Sequence, residues 1–389
     1  MWSPAGACVA PHLRCLRWVG FCRLSPGTPR YQQAAHYLYR LFALASCSVY
    51  LAQECVYAYQ ERADMEKLSR VMFLLLCHVT SLAKQLVFHT DAHRIDTLVA
   101  EFDAAVFNAA EAAAALARTA RAARWLQRLY SGTAVVTCTL WLVFPVARYA
   151  RGLPVDFPFW LPAPPDHVAA FCAVLVYSYY VTTLVGIANT TMDAFVGTVL
   201  YQCTTQLTVL QKNLETLSDR TDEVRQQTGE DFESVFLKLF YECLSHYNKI
   251  CEIASLLQDI FGTAILFQFA IGGWILCMAA YKLVSLNVLS VEFVSMNLFV
   301  VCILTELFLY CYYGNELTYE SQRLQAALYA CGWERSAGGR RARRGLLLAR
   351  ERAQRPLRAA AWIVPLSLDT FLKIIKSSYT FYAVLRQTK

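Results

Sequence analysis

The chain has 389 residues, of which 57% are hydrophobic and 17% are charged, and its mean hydropathy is +0.34. Soluble proteins average about 45–50% apolar and about 25% charged residues, so this composition excludes an ordinary soluble domain and predicts an integral membrane protein. The net charge of +7 says less than the way the charge is divided among the loops. The fifteen cysteines are scattered, mostly within apolar runs, which indicates buried thiols rather than a disulfide framework.

Seven stretches can cross a bilayer, for which about 20 helical residues supply about 30 Å. Before them, residues 1–35 are basic and turn-rich, and arginines interrupt their one apolar run, so we predict no cleaved signal peptide. The predicted spans are residues 36–58, 69–89, 125–150, 168–200, 261–281, 291–313 and 366–385.

Several segments between the spans are amphipathic or rich in helix formers without being apolar enough for lipid. Residues 90–125 are rich in alanine and arginine, residues 201–217 repeat leucine at three- and four-residue spacing, and residues 232–260 form another amphipathic run. These patterns predict helical extensions below the membrane. By contrast, residues 151–167 contain five prolines and three aromatic residues, which predicts an irregular loop with its aromatics at the membrane interface.

The last span is the most polar one. It carries Asp369, Lys373 and Lys376, followed by hydroxyl side chains at residues 377–380. Unpaired charge in hydrocarbon is expensive, so this helix must turn one side to water or to protein. The sequence therefore predicts a pore lining or the interior of a bundle.

Loop charge predicts the orientation of the chain. About 23 Lys and Arg residues lie on the N-terminal side of the membrane and about 6 on the other side. Because basic residues concentrate in cytoplasmic segments, the N-terminus is predicted to be cytoplasmic and the C-terminus extracellular. The predicted fold class is an all-α membrane protein with seven transmembrane helices and a cytoplasmic anchor domain. Its predicted regions are a cytoplasmic N-terminal segment (1–35), spans one to six (36–313), the anchor segment (314–364) and the pore-lining seventh span (365–389).

Enzymatic chemistry has no basis in the sequence. Cys/His metal spacing, a nucleophile with its base and a phosphate-binding loop are all missing, so we predict no enzyme, no metal, no cofactor and no nucleic-acid partner. Charged residues inside the spans would suit a proton relay, but we expect them to reach polar surroundings at the membrane faces. They are Arg40, Glu54, Lys84, Asp193 and Glu306.

The C-terminal third resembles the insect odorant receptors. The resemblance is carried by GNELTYES (314–321), LQAALYACGW (324–333), RAQRPLRAAAW (352–362) and PLSLDTFLKIIKSSYTFYAVLRQ (365–387). It implies an odour-binding subunit that forms a heterotetramer with a shared co-receptor and acts as a ligand-gated, non-selective cation channel. The expected partners are a small volatile odorant, co-receptor subunits and the lipid bilayer. The expected location is the plasma membrane of the olfactory sensory neuron dendrite.

The same resemblance assigns pore residues. Val384 matches the family's hydrophobic gate and Gln387 matches a glutamine one turn further out. An apolar ring can close a pore by dewetting, and an amide can replace part of an ion's hydration shell. The alternative is that Val384 packs against lipid or a neighbouring helix. Arg386 would oppose cations at a pore mouth, so we expect it to face away.

The odorant is expected in the outer half of the bundle, because an apolar cavity with few polar groups suits a small volatile molecule. Tyr177 and Tyr180 are the best candidates, since their spacing places two hydroxyls on one helix face. The alternative for every candidate is ordinary core packing. The predicted ligand-binding residues are Met72, Leu75, Trp141, Phe144, Tyr149, Tyr177, Tyr180, Thr183, Trp274 and Met278.

Three alternatives stay open. A gustatory-type receptor that conducts as a homomer carries T-Y-x(5)-Q-F in its last span, and Thr380, Phe381 and Gln387 hold that spacing with Phe for Tyr and Thr388 for the final Phe. A secondary transporter would show inverted repeats, and we see no repeat. For the basic anchor segment, the alternative to subunit contact is a solvated face near anionic lipid headgroups.

Overall fold

The computed structural model describes residues 2–25, 27–153, 155–162, 167–336 and 340–387. Most of these residues are helical. The α-helices are α1 (Gly6–Trp18), α2 (Arg30–Gln60), α3 (Met65–Thr90), α4 (Ala92–Glu101), α5 (Ala113–Ala150), α6 (Val168–Glu215), α7 (Leu217–Thr228), α8 (Phe232–Val284), α9 (Val291–Tyr329), α10 (Arg340–Ala353) and α11 (Leu368–Gln387). Short 3-10 helices cover Ala105–Phe107, Ala110–Ala112 and Trp333–Ser336, and strand β1 (Ala360–Ala361) pairs antiparallel with β2 (Val364–Pro365).

Three long helices combine a predicted span with its cytoplasmic extension. Helices α6, α8 and α9 contain 48, 53 and 39 residues. The polar segment predicted to separate two of them contains α7, which ends where Gly229 takes a φ of 71°, a left-handed conformation that favours glycine. Asp231 caps the start of helix α8, since its carboxylate accepts a hydrogen bond of 3.1 Å from the backbone N–H of Glu233.

Helix α6 is the centre of the bundle. Residues 188–200 of this helix are all buried, and α1, α5, α8 and α9 pack around it. A helix that is covered on every side has no need of a polar face, and the polar residues Asn189 and Asp193 within this stretch have a buried partner in Lys84. The same packing places α3 against α8 and α5 against α9.

The N-terminal segment differs from the turn-rich expectation, because α1 is a helix that includes Pro11. Proline in a helix interior removes a backbone hydrogen bond. Packing compensates, since Val9, Leu13 and Leu16 are almost fully buried and α1 lies against α5 and α6.

Among the described residues, six helices are long and apolar enough to cross a membrane, and they contain the six predicted spans that precede the last one. Helix α11 has 20 residues, which corresponds to about 30 Å, but it is more polar than the other six. It packs against α8 and α9.

Glycine at position 314, within the GNELTYES motif, lets α9 approach the segment that leads into α11. A Cβ at Gly314 would lie 2.3 Å from the Cβ of Leu366 and 2.6 Å from its carbonyl oxygen. Any larger residue would therefore push the start of α11 away from α9.

Candidate ligand-binding site and pore helix

A mainly apolar cavity of about 160 Å³, here called the outer cavity, lies among α2, α3, α5, α6 and α9. It is in the half of the bundle that loop charge predicts to face outside. Such a cavity suits a small apolar molecule better than a charged solute. Its larger lining side chains are Tyr50, Phe73, Trp141, Phe144, Phe157, Tyr179 and Met296.

Ring packing positions one wall of the outer cavity. The ring of Phe73 lies 5.1 Å from that of Phe299 and 6.3 Å from that of Trp141, and Trp141 lies 5.8 Å from Phe299. Aromatic pairs at these separations stabilise each other beyond their apolar burial. The wall thus ties α3, α5 and α9 together at the outer cavity.

The proline-rich loop closes the outer cavity instead of lying at the membrane interface as predicted. Phe157 and Phe159 are 6% and 2% exposed, and Phe157 lines the cavity. Burial of two large rings outweighs an interfacial position because each aromatic side chain removes a large apolar area from water. Trp160 is 38% exposed, so the prediction fails for the two phenylalanines.

The mouth of the outer cavity is polar. Lys282 Nζ lies 3.2 Å from a carboxylate oxygen of Glu292, and the Tyr57 hydroxyl donates to Asp156 at 2.9 Å. These four side chains line the cavity. Tyr57, Asp156, Lys282 and Glu292 therefore satisfy one another's polar groups in the cavity lining.

A smaller cavity of about 60 Å³, here called the inner cavity, lies on the cytoplasmic side of the outer cavity. Leu74, Trp141 and Thr182 line both cavities. Its own lining includes His78 and Glu306. The two cavities are therefore neighbours with common walls.

The charged residues within the spans are buried, contrary to the expectation that they reach polar surroundings. Lys84 Nζ lies 2.6 Å from Asp193 and also contacts Glu306, and Glu54 lies 2.8 Å from His78 Nδ1. Pairing with an opposite charge makes burial tolerable for Lys84, Asp193 and Glu306. Glu54 has the His78 imidazole as its partner, and Arg40 donates to the backbone carbonyl of Phe88 at 3.5 Å. The residues concerned are Arg40, Glu54, Lys84, Asp193 and Glu306, each at most 6% exposed.

Helix α11 has two different faces. Thr370 and Ser378 are buried and Phe371 and Ile374 pack on the core. A second side of the helix exposes Lys373, Ser377, Thr380 and Val384 at three- to four-residue spacing, which places them in one row along the helix. This row, the exposed row of α11, mixes charge, hydroxyls and one apolar residue near its outer end.

Only Val384 of the predicted pore residues can be described further, and it is 54% exposed. The side chains of Arg386 and Gln387 lie outside the described residues. Lys373 pairs with Asp369 at 2.7 Å. The roles of Val384 and Gln387 therefore stay predictions.

Two of the ten predicted ligand residues, Trp141 and Phe144, line the outer cavity. Tyr149 stacks on Phe171 with 3.9 Å between ring centroids. The Tyr177 hydroxyl donates to Gln53 at 2.8 Å. Tyr177 also packs 5.7 Å from the lining residue Tyr50, and Phe171 packs 6.1 Å from the lining residue Phe157, so these tyrosines lie one layer behind the cavity wall.

The other predicted ligand residues are distributed around the bundle. Trp274 is 46% exposed and stacks on Phe381 of α11 at 5.1 Å, and Tyr180 is 36% exposed. Their part in ligand binding stays a prediction. Outside the lining of both cavities are Met72, Leu75, Thr183, Tyr180, Trp274 and Met278.

The arrangement of the helices agrees with a known family. The family model described as 7tm odorant receptor matches residues 64–379, which is most of the chain. The chain belongs to the 7tm odorant receptor family. The predicted resemblance and the predicted all-α fold with seven transmembrane helices are confirmed.

Relatives of this receptor come from several insects. Odorant receptor Or1 of Anopheles gambiae is 20% identical over 360 residues, covering 87% of this chain and 85% of that receptor. Odorant receptor Or2 of the same species is 25% identical, covering 67% and 68%. The structure of olfactory receptor OR5 from Machilis hrabei in complex with eugenol superimposes with a TM-score of 0.82 at 14% identity and covers 98% of both chains. These relatives are receptors and not enzymes, and they support a multi-pass membrane protein.

Sequence reasoning missed several cavity residues of this odorant receptor. Phe73 and Leu74 line the outer cavity, whereas their neighbours Met72 and Leu75 were predicted to do so. One residue turns a helix by about 100°, so a small error in the assumed rotation of α3 exchanges one pair for the other. Phe157 was assigned to the membrane interface, and no periodic signal exists in a proline-rich loop that could have placed it inside.

Proposed function

We propose that this chain is the odour-binding subunit of a ligand-gated, non-selective cation channel, assembled as a heterotetramer with a shared co-receptor. Its place would be the plasma membrane of olfactory sensory neuron dendrites. The observation that carries the proposal is that one chain combines an aromatic cavity among its spans with a last helix whose exposed row is too polar for lipid.

The outer cavity supports the odour-binding part. Its wall is aromatic and aliphatic, and its charged groups are paired at the mouth. A small, largely apolar molecule gains most from such a lining, because its hydrophobic surface leaves water while few polar groups need to be matched. Eugenol, the molecule in the related structure, is of this kind.

The exposed row of α11 supports the channel part. Lys373, Ser377 and Thr380 would be costly against hydrocarbon, and a water-filled pore removes that cost. Val384 would form the narrow apolar ring. Lys373 belongs to the cytoplasmic end of the row, where Asp369 offsets its charge, so a cation would meet a neutral pair.

Exposed apolar residues in the anchor support assembly. Leu347 and Leu348 of α10 are 64% and 73% exposed, and Trp362 and Ile363 at the tip of the β1–β2 hairpin are 70% and 87% exposed. Trp362 has a φ of 56°, which a bulky residue rarely adopts. Apolar groups presented outside the membrane are typical of protein contacts, and neighbouring subunits would cover them.

Co-expression tests the proposal. The chain would be produced in cells without endogenous receptors, alone and with the co-receptor, and exposed to an odorant panel that includes eugenol. We expect odour-evoked inward currents that need both subunits, reverse near 0 mV and persist under G-protein inhibitors.

Other results would change the assignment. Currents from the chain alone would indicate the homomeric gustatory-type channel. Substrate-coupled flux without a channel-like current would indicate a transporter. Currents abolished by G-protein inhibitors would contradict the channel proposal.

A further inference from the structure

The inner cavity is bounded by a buried ionic cluster. Lys84 Nζ donates to Asp193 at 2.6 Å and to Asn189 Oδ1 at 3.1 Å, and it also contacts Glu306 Oε1. The Tyr310 hydroxyl donates to the same Asp193 oxygen at 2.5 Å. All five residues are at most 5% exposed. We call them the Lys84 cluster.

The Lys84 cluster lacks one positive charge. Its single ammonium faces two carboxylates, and both donors reach only one oxygen of Asp193. The second oxygens, Asp193 Oδ2 and Glu306 Oε2, have no hydrogen-bond partner among the described residues. Two carboxylates in one buried site cannot both keep an uncompensated charge, so the site needs a proton or a second cation.

Glu306 connects this deficit to the ligand site. It is 0% exposed and lines the inner cavity together with Asn189, Thr190 and His78. A volume of about 60 Å³ admits one small polar head group. The outer cavity, which has Leu74, Trp141 and Thr182 in common with it, would hold the apolar remainder of the same molecule.

We propose that the inner cavity is a subsite for the ammonium group of a small primary amine, with Glu306 as its anion. This assignment deepens the proposed function and rests on it. A primary amine carries a charge near pH 7, as lysine does. It would donate to the free carboxylate oxygen and supply the missing charge, whereas an alcohol of the same shape would donate without neutralising the cluster.

Binding is an exchange of cations in this scheme. Without ligand, a proton on one of the two carboxylates balances the cluster. When the ammonium enters, that proton leaves to solvent, and Lys84 keeps its contacts to Asp193 and Glu306. The charge of the site is the same before and after binding, so the buried position is not penalised by a new net charge.

The test compares three molecules of one shape: 2-phenylethylamine, 2-phenylethanol and propylbenzene. The purified wild-type receptor is heated with each, and the ligand concentration for half-maximal stabilisation is measured, alongside currents in cells with the co-receptor. We expect the amine to act at a concentration at least about tenfold lower than propylbenzene, the size of a charge-assisted hydrogen bond. Glu306→Gln should reduce that ratio to below about threefold and leave propylbenzene almost unaffected.

The control is Glu252→Gln, which changes a carboxylate on the cytoplasmic part of α8 that is 60% exposed and should keep the wild-type ratio. Because Glu306→Gln could fail to fold, the wild-type measurement is a sufficient test by itself. If the amine acts on the wild type at the same concentration as propylbenzene, or only at a higher one, the proposal is overturned. Equal action of amine and alcohol, lost together in Glu306→Gln, overturns the ammonium assignment in favour of a neutral donor. If the amine stabilises the receptor but no odorant evokes a current, the subsite is supported and the channel proposal is contradicted. If other odorants evoke currents but the amine does not stabilise the receptor, the channel proposal is supported and the subsite is contradicted.

Discussion

The Nδ1 atom of His78 lies 2.8 Å from a carboxylate oxygen of Glu54, and this pair joins the first two spans beside the outer and inner cavities. Both side chains are buried, at 7% and 0% exposure. The His78 ring also packs edge-on against Tyr50, 5.4 Å away, and Tyr50 lines the outer cavity. A change in this pair would therefore reach the outer cavity through one aromatic ring.

Removal of His78 should destabilise the receptor. His78→Ala leaves the buried Glu54 carboxyl group without its hydrogen-bond partner, a loss that costs about 1–3 kcal/mol. We expect a lower melting temperature of the purified protein and reduced cell-surface labelling, and recovery when Glu54→Gln is added. His93→Ala, at an exposed site on α4, is the control. Wild-type stability of His78→Ala would show that the pair contributes little.

Truncation of the aromatic wall should change odour tuning. Trp141→Ala enlarges the outer cavity and removes ring contacts, so compact odorants should need about tenfold higher concentrations for the same current. Bulkier odorants should act at lower concentrations than on the wild type, because the enlarged cavity admits them. Dose–response curves across a panel of increasing size measure this, with Trp125→Ala on the same helix, 66% exposed, as the control. Alanine at Tyr177 and Tyr180 in the same assay tests the predicted contacts, and unchanged tuning excludes both from the ligand site.

Gly314→Ala should disturb the junction of α9 and α11. The new methyl group would meet the Leu366 backbone at 2.6 Å, and backbone cannot move as cheaply as a flexible side chain, so we expect a loss of about 1–3 kcal/mol. Gly273→Ala in α8 is the matched control, because its nearest neighbour would be 3.9 Å away; it should gain up to about 1 kcal/mol from helix propensity. Equal melting temperatures of both variants would contradict the close contact.

Val384→Ser should open the channel without odorant if Val384 is the gate. A hydroxyl wets the constriction and lowers the barrier to ions, so unstimulated current should rise several-fold. Leu372→Ser, which is on a different side of α11 and 52% exposed, should leave it unchanged. Charge reversal at Arg386 adds a test of the pore wall, since unchanged conductance and relative permeability would remove that residue from it.

Acid should weaken the packing of the cytoplasmic part of α8 through His246. Burial lowers the pKa of His246 from 6.5 to about 4, and its neutral ring hydrogen-bonds to Gln206 and packs on Phe107. As the pH falls, His246 takes up a proton in the unfolded chain before it does so in the folded one. Its contribution to the free energy of unfolding is therefore complete above pH 6.5 and is lost as the pH falls towards 4. This loss of stability amounts to about 3 kcal/mol at most.

The measurement is the melting temperature of the purified receptor from pH 7.5 to pH 5. His246→Gln should reduce the change of melting temperature with pH, whereas His93→Gln on the exposed face of α4 should leave it as in the wild type. Parallel slopes for the wild type and His246→Gln would show that another group controls the acid response.

Helices could be predicted from sequence far better than their contacts. Apolar runs and amphipathic spacing predicted α6 and α8 almost to their ends, because each pattern is local. The partners of Lys84 could not be predicted, since Asp193 and Glu306 are 109 and 222 residues away. Periodicity tells which residues share a face of a helix but not which other helix packs against that face. The sequence therefore predicts contact with water for charged residues that the structure pairs inside the bundle.

Short irregular elements were also beyond sequence reasoning. The β1–β2 hairpin has two residues in each strand, which is too few for an alternating pattern to appear. Its tip places Trp362 at a positive φ, a conformation decided by the contacts around it.

Helix α8 has consequences for how a signal crosses the receptor. Its 53 residues extend about 80 Å, and they carry Lys282 at the mouth of the outer cavity and Tyr247 in the cytoplasmic part. A tilt of about 3° about the middle of a rod of this length moves each end by about 2 Å. Leverage along one continuous helix is therefore enough to convert a displacement the size of a methyl group at the outer cavity into a displacement of similar size in the cytoplasmic part of the bundle.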